Sequence, residues 1–318
     1  MCTNDSMPLV SILIPTHERP HFFSLALASA VNQTYKNIEI IISDNSLDDE
    51  TEQIVHKFQK VYPNIRYFHS PGIDMHSNWQ MCWDNISAES KYINFLMDDD
   101  IFAEDKIDRM MAYFIKMPDL ALVTSYRMLI DKDGNPLDDC GFNSPISSED
   151  SIISGQEAGT SFLLNCVNWI GEPTTVLFNR SYTSGFFRGW SGNEKYLILD
   201  YPLWLRILEK GDMVYIADPL SFFRQHEVND HKNFKTLIEG AISMALIIQH
   251  AWNEKQYLDS LPKLRQSLCA WQKMSVGLIY KSFTSNYHGE DLDDLLDTYN
   301  ILTKRFVDDD TGNITFNF

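Results

Sequence analysis

The stretch KYINFLMDDD, residues 91–100, joins a run of apolar side chains directly to three adjacent acids. The run Tyr92–Met97 predicts a buried strand, because it is short, apolar and bounded by charged residues at both ends. Ligands of open α/β sheets bind beyond the carboxyl ends of the strands, which is where Asp98, Asp99 and Asp100 fall. Adjacent carboxylates repel one another, so each needs water or a partner, and Mg²⁺ or Mn²⁺ is a natural partner for oxygen ligands. The alternative is a solvated acidic turn that caps the next helix.

The segments around this strand alternate between strand and helix patterns. Short β-branched and apolar runs separate segments whose apolar residues follow helical spacing. Alternation with short connections predicts an α/β fold with a mostly parallel sheet and helices on both faces. The predicted strands are 10–14, 38–42, 65–68, 92–97 and 121–126, and the predicted helices are 21–32, 51–62, 78–86 and 105–116.

The rest of the chain changes in character. The turn sequence DKDGNP predicts the tip of a hairpin, and a later polar stretch predicts a mobile loop. Helical spacing then dominates, and beyond residue 233 it is the only pattern. We therefore expect an α/β domain at 8–232 and a helical C-terminal region at 233–318. The elements predicted in this part of the chain are the hairpin tip at 131–136, the loop at 144–154, and helices at 201–208, 234–252, 262–283 and 291–306.

The first C-terminal helix has a broad apolar stripe that is unsuited to a free helix in water. It is expected to pack on the preceding domain, on the later helices or on a second subunit. A homo-oligomer through the C-terminal helices is one arrangement that this pattern leaves open.

Charge and cysteine content exclude several classes of function. The net charge of −18 argues against nucleic acid as a partner and against simple docking on anionic lipid. The five cysteines are far apart and form no CxxC pair, so neither a disulfide framework nor a zinc site is indicated. Residues 1–7 lack the pattern of a signal peptide, and no stretch reaches the roughly 18 apolar residues that span a bilayer. We expect a cytoplasmic protein with no transmembrane segment.

Six blocks of sequence, in order between residues 8 and 230, resemble family-2 glycosyltransferases with the GT-A fold. The opening VSILIPTHERP has the apolar strand and the Pro-Thr pair of that family. The blocks AVNQTYKNIEIIISDNS and SKYINFLMDDD resemble the two that follow, and IGEPTTVLF, DYPLWLR and FRQH resemble the last three. Each block alone is weak evidence for the resemblance, but six blocks in the same order are specific evidence for it. They lie at 10–20, 30–46, 90–100, 170–178, 200–206 and 223–226.

Four features depart from the family pattern. His17-Glu18 stands where Tyr-Asn is usual, and Met97 stands where the metal motif has its first Asp. Asn45 replaces the second Asp of an Asp-Asp pair, and Leu199 replaces a Glu that precedes the Asp of the fifth block.

The resemblance implies transfer of a sugar from a nucleotide-sugar, with a UDP-sugar favoured, to an acceptor hydroxyl with inversion at the anomeric carbon. It also implies Mn²⁺ or Mg²⁺ as cofactor, with Asp99, Asp100 and His226 as metal ligands and Asp200 as the general base. Whether Asp98 or Asp100 joins Asp99 at the metal stays open. The matching acceptor-side residues are Gly171, Glu172 and Trp204. The matching residues for nucleotide-sugar binding are Pro15, Thr16, His17, Glu18, Arg19, Asp44, Asn45, Asn78, Asp98 and Asp99.

The acceptor implied by the resemblance is a glycan, glycolipid or glycoprotein, as in the assembly of bacterial surface glycans. A protein with this task works in the cytoplasm, either free or peripheral at the inner face of the membrane.

Alternatives to these assignments stay open at the level of sequence. A nucleotidyltransferase also pairs a parallel sheet with acidic metal ligands, but it usually needs a glycine-rich phosphate loop, and residues 15–20 contain no glycine. A non-catalytic nucleotide- or glycan-binding relative is favoured by the loss of an acid at Met97 and disfavoured by the presence of Asp99 and Asp200. Asp200 is also a suitable helix N-cap, and His226 a suitable loop histidine.

Overall fold

The computed structural model describes residues 7–183, 198–226 and 234–308. These residues form two compact units. The first unit contains residues 7–155, 169–183 and 206–225, and the second contains residues 156–168, 198–205, 226 and 234–308.

Strands dominate the first unit, and helices make up the second. The strands are β1 (Val10–Thr16), β2 (Ile38–Asp44), β3 (Ile65–His69), β4 (Tyr92–Phe95), β5 (Ile101–Phe102), β6 (Leu122–Ile130), β7 (Ser151–Ile153), β8 (Leu177–Asn179) and β9 (Met213–Arg224). The helices are α1 (Pro20–Val31), α2 (Glu50–Gln59), α3 (Met75–Asp84), α4 (Lys106–Lys116), α5 (Gly155–Asn165), α6 (Asp200–Leu208), α7 (Phe234–Asn253), α8 (Leu261–Thr284) and α9 (Glu290–Asp308).

The described strands form one sheet, with the order β3-β2-β1-β4-β8-β6-β9-β5 and with β7 paired to β9. The first four strands in this order are parallel, as the alternating sequence pattern predicts. Every residue of β1 and β2 is buried. Their continuous apolar runs therefore fit central strands of a parallel sheet that is covered on both faces.

The other side of the sheet is mixed. β8 lies antiparallel between β4 and β6, and β9 pairs in parallel with β6 and antiparallel with β5 and β7. The pairing of β6 with β9 shifts register between Ser125 and Arg127, so the strands bend at this point. The predicted α/β class with C-terminal helices is thus confirmed.

Several element boundaries differ from the sequence predictions for local reasons. Helix α3 begins at Met75, before the predicted start at residue 78, because the Asp74 side chain caps it by accepting the Ser77 N–H at 2.9 Å. The hairpin tip at 131–136 is confirmed, since Ile130 and Pro136 form an antiparallel bridge. The segment expected to be a loop at 144–154 contains the short strand β7, which is stabilised by pairing with β9.

The second unit is built around the aromatic side chains of the helical region. Trp271 in α8 is fully buried, and its indole N–H donates to the Ala241 carbonyl of α7 at 2.7 Å. Tyr257 is also fully buried, and its ring lies against Gly159. A Cβ atom added at position 159 would lie only 2.2 Å from Tyr257 Cε1. Glycine at position 159 thus lets α5 approach the tyrosine ring.

Among the helices of residues 7–183, 198–226 and 234–308, none has both the length and the apolar character to cross a membrane.

Truncating Trp271 should destabilise the protein strongly. Trp271→Ala removes a fully buried indole together with its hydrogen bond to α7, and such changes cost about 3–5 kcal/mol. Tyr280→Ala on the same helix is the matched control, because Tyr280 is 68% exposed and should change the free energy of unfolding by about 0.5 kcal/mol or less. Urea unfolding of the two variants measures the difference. Equal destabilisation by both substitutions would contradict the packing described.

Candidate active site

The turn Asp98–Asp100 lies at the carboxyl end of β4, beside the carboxyl end of β1. The two strands are parallel neighbours, with Leu13 paired to Phe95. The chain therefore leaves both strands at the same edge of the sheet, where open α/β sheets bind their ligands. The Asp100 N–H donates to the Met97 carbonyl at 3.1 Å and closes the turn.

Asp98 is buried and holds the loop after β1 in place. Its Oδ2 accepts the Thr16 hydroxyl at 2.9 Å and the His17 backbone N–H at 3.2 Å. Its Oδ1 accepts a hydrogen bond from Arg19 Nη1 at 3.1 Å. The structure thus brings together Thr16, His17, Arg19 and Asp98, four residues that the sequence predicts at the nucleotide-sugar site.

Asp100 points to the other side of the turn and is also buried. Its Oδ2 accepts the Thr174 hydroxyl at 2.6 Å, and its Oδ1 accepts the Arg224 backbone N–H at 3.0 Å. The Arg224 side chain is itself buried, and its Nε donates to the Asp99 carbonyl at 2.8 Å. Thr174 also accepts the Met97 N–H at 3.1 Å. The acidic turn is therefore held by the segment before β8 and by the end of β9 as well as by β1.

Burial in this crowded turn changes the acidity of two carboxyl groups. Burial, with the neighbouring Asp99 charge, raises the pKa of Asp98 to about 6, although Arg19 and Thr16 oppose the change. Burial and Asp99 also raise the pKa of Asp100 well above its ordinary value, against the hydrogen bonds from Thr174 and Arg224. Neutralising Asp99 would therefore favour the ionised form of both neighbours.

Asp99 is the carboxylate of the three with the most suitable position for a divalent cation. Its side chain is 15% exposed, and Oδ2 lies 3.3 Å from Arg19 Nη1. Within residues 7–183, 198–226 and 234–308, no group of three or more His, Cys, Asp and Glu side chains is arranged as a metal centre. Mg²⁺ and Mn²⁺ at nucleotide sites often take one or two carboxylates and complete their sphere with water and phosphate oxygens. The donor set of Asp99 with Asp98 fits that mode of binding.

The predicted nucleotide residues of β2 and α3 form a buried polar network. Asp44 accepts the Ser46 N–H and the Tyr67 hydroxyl, both at 2.8 Å. The Asn78 amide donates to the Thr16 carbonyl and to Asn45 Oδ1, both at 3.1 Å. This network joins the ends of β1 and β2, so the structure brings Asp44, Asn45 and Asn78 next to Thr16.

The loop between β1 and α1 exposes two of the predicted residues. His17 and Glu18 have half-exposed side chains that lie 3.8 Å apart, whereas Pro15 is buried as a residue of β1. Glu18 has φ +49°, and its backbone N–H donates to Ser46 Oγ at 2.7 Å. That anchor holds the loop in a left-handed conformation that is uncommon for a non-glycine residue.

The predicted acceptor-side residues Gly171 and Glu172 lie close to the acidic turn. Gly171 has φ +119°, where a side chain would be strained, and a Cβ atom there would lie 2.8 Å from Thr175. Glu172 Oε2 is 2.5 Å from Arg127 Nε, an ion pair whose atoms are not aligned as a hydrogen bond. The charge of Glu172 also contributes to the raised pKa of Asp100.

Asp200, Trp204 and His226 belong to the second unit. Asp200 is half-buried at the start of α6, and its Oδ2 accepts the Asn168 amide at 3.2 Å. Trp204 is fully buried, which is a core position, and His226 is 8% exposed. Their roles as base, acceptor-side residue and metal ligand stay predictions.

Three positioning residues were not assigned from sequence. Thr174 and Arg224 lie inside blocks that resemble the family, so the signal for them was present. Tyr67 has no sequence signal, because only the pairing of β2 with β3 brings it to Asp44.

Comparison with known proteins gives consistent matches. A family model described as "Glycosyl transferase family 2" matches residues 11–183. A protein of Campylobacter jejuni named GalNAc(5)-diNAcBac-PP-undecaprenol beta-1,3-glucosyltransferase is 25% identical over 290 residues, which cover 88% of this chain and 85% of that protein. A chondroitin synthase of Escherichia coli is 27% identical over 214 residues, which cover 66% of this chain and only 28% of the synthase.

Solved structures show the same fold. S. aureus TarS 1–349 in complex with UDP-GlcNAc has a TM-score of 0.53 at 13% identity, covering 97% of both chains. The mannosyltransferase PcManGT from Pyrobaculum calidifontis, in complex with GDP-Man and Mn²⁺, has a TM-score of 0.54 at 12% identity, covering 94% of this chain and 81% of that one. At such identities the likeness shows the fold alone.

The raised pKa of Asp98 predicts a specific pH dependence of stability. The folded protein binds this proton with a pKa of about 6, against an ordinary value of 3.8, so unfolding releases a proton between these pH values. The free energy of unfolding of the metal-free wild type should therefore fall, relative to Asp98→Asn, as the pH rises through this window. Asp218→Asn, at an exposed surface ion pair, should keep the wild-type slope. Urea unfolding at pH 4 to 7 measures the slopes, and equal slopes for wild type and Asp98→Asn would contradict the assignment.

Proposed function

Because the chain belongs to glycosyltransferase family 2, we propose that it transfers a sugar from a nucleotide-sugar to an acceptor hydroxyl, with inversion at the anomeric carbon and with a divalent cation. The donor is a UDP-sugar, as the sequence resemblance implies. The acceptor is a lipid-linked or free glycan, a choice supported by the name of the Campylobacter relative.

The observation that supports this proposal best is the joining of the acidic turn to the loop after β1. Thr16, His17 and Arg19 all donate hydrogen bonds to Asp98. A nucleotide contacting that loop and the adjacent Asp44 network would have its diphosphate near the acidic turn. The residues that we propose for the nucleotide and for the metal and diphosphate are thus contiguous in the first unit.

The cation would be held by Asp99 with Asp98 or Asp100, and by His226, as the sequence resemblance implies. When bound, it neutralises the charge that develops on the leaving nucleoside diphosphate. The chain needs such help because its net charge is −18, and three carboxylates alone would repel a diphosphate. Asp98 and Asp100 keep the turn in its geometry through the bonds described above.

Asp200 is the proposed general base. The acceptor oxygen attacks the anomeric carbon, the bond from that carbon to the diphosphate oxygen breaks, and the acceptor proton passes to the Asp200 carboxylate. The amide of Asn168 donates to Oδ2 and fixes the orientation of the carboxylate. One base is sufficient for single displacement with inversion.

Asp99→Asn should abolish transfer and weaken donor binding, because a neutral amide is a poor ligand for Mn²⁺. The partly exposed side chain contributes little to stability, so the melting temperature should change little. Asp218→Asn makes the same chemical change at an exposed ion pair and should keep full activity. Sugar transfer and UDP binding, with Mn²⁺ or with excess EDTA, measure the effect. Full activity of the wild type in excess chelator would show that the metal assignment is wrong.

Asp200→Asn should reduce the transfer rate by about 10²–10⁴-fold, the usual cost of losing a general base. Asparagine keeps the shape and much of the capping ability of aspartate, so donor affinity and melting temperature should stay close to those of the wild type. The contrast with Asp99→Asn, which should lose donor affinity, separates a base from a metal ligand. Near-native transfer by Asp200→Asn, or a defect in stability alone, would overturn this role.

A further inference from the structure

We propose that Arg19 acts as an internal counter-cation of the acidic turn and moves to the diphosphate when the donor binds. The metal ion and the diphosphate would then bind cooperatively. This inference rests on the proposed function, since it concerns the same cation and the same nucleotide-sugar.

Arg19 bridges two of the three carboxylates. Nη1 lies 3.1 Å from Asp98 Oδ1 and 3.3 Å from Asp99 Oδ2. The Asp98 and Asp99 side chains are 7% and 15% exposed, so the contacts lie in a poorly solvated place. A positive charge at this position offsets the repulsion between the neighbouring carboxylates.

The backbone of Arg19 is anchored while its side chain has access to solvent. Arg19 is the N-cap residue of α1, and its carbonyl accepts the Phe23 N–H at 2.9 Å. The preceding residue, Glu18, is fixed by Ser46. The Arg19 side chain is nevertheless 29% exposed, so the guanidinium has room to rotate toward the open edge of the site.

A divalent cation on Asp99 would compete directly with this guanidinium. Both would use the same carboxylates, and two positive charges a few ångströms apart repel strongly where solvent screening is weak. A metal ion alone must therefore displace Arg19 from these two carboxylates. A diphosphate offsets that cost, because guanidinium groups bind phosphate oxygens in bidentate fashion.

The exchange couples the two ligands. Diphosphate removes the competitor of the metal, and the metal releases Arg19 for the diphosphate, so each ligand raises the affinity of the other by the same factor. Wild-type protein should bind Mn²⁺ weakly alone and more tightly with UDP. Removing the Arg19 charge should tighten binding of Mn²⁺ alone and reduce the gain that UDP provides.

Mn²⁺ titration followed by electron paramagnetic resonance tests this without any turnover. Wild type, Arg19→Gln, Arg19→Lys and Arg109→Gln are titrated with Mn²⁺ alone and with saturating UDP. Arg109 pairs with the exposed Asp218 at 2.9 Å, so Arg109→Gln is the matched control for lost charge. We expect Arg19→Gln to bind Mn²⁺ alone about tenfold more tightly than wild type, within the usual range of coupling factors. Arg19→Lys keeps the charge, so its affinity for Mn²⁺ alone should stay near that of the wild type. The affinity of Arg109→Gln should also stay near the wild-type value.

Equal affinity of wild type and Arg19→Gln for Mn²⁺ alone would overturn the inference. So would wild-type Mn²⁺ affinity that does not change with UDP, a test that needs no variant to fold. A sugar-transferring enzyme with either result would leave the proposed function intact and refute only the role of Arg19. A different result would separate the two proposals in the other direction. If Arg19→Gln binds Mn²⁺ more tightly but the wild type turns over no nucleotide-sugar, the proposed sugar transfer is refuted and the role of Arg19 is retained.

Discussion

The architecture of the site depends on accommodating three adjacent carboxylates at the end of one buried strand. The partners of the carboxylates come from both sides of the turn. Asp98 and Asp99 are held from the loop after β1, where Arg19 contacts both, and Asp100 is held by Thr174 and the Arg224 backbone. These hydrogen bonds and ion pairs offset the mutual repulsion and leave Asp99 as the one partly exposed acid of the turn.

The same constraint explains why polar side chains are buried so densely at this edge. Asp44 receives hydrogen bonds from Ser46 and Tyr67, and Asn78 connects Asn45 to Thr16. These bonds fix the ends of β1 and β2 relative to each other before any ligand arrives. A nucleotide would then meet a surface whose shape is set in advance, which lowers the entropic cost of binding.

Local patterns in the sequence predict the first half of the fold well and the second half less well. The runs that become β1, β2 and β4 are strand-like by themselves, and the repeated helix pattern between them makes their parallel order predictable. The strand β7 and the register shift near Ser125 depend on pairing with β9, about sixty to ninety residues away in sequence. The same applies to the site. The acids are visible in the sequence, whereas Thr174 and Arg224 reach Asp100 only because β8 pairs with β4 and β9 pairs with β5.

We propose that the edge of the sheet at Asp98–Asp100 binds a nucleotide-sugar for transfer. The most direct test of this proposal is to incubate the protein and Mn²⁺ with a panel of nucleotide-sugars, without acceptor, and to quantify the nucleoside diphosphate released by slow hydrolysis. We expect release of nucleoside diphosphate from one class of donor, at the same rate in Asp218→Asn and not at all in Asp99→Asn. Folded wild-type protein that neither binds nor hydrolyses any nucleotide-sugar, or a folded Asp99→Asn variant that hydrolyses the donor at the wild-type rate, would contradict the proposal.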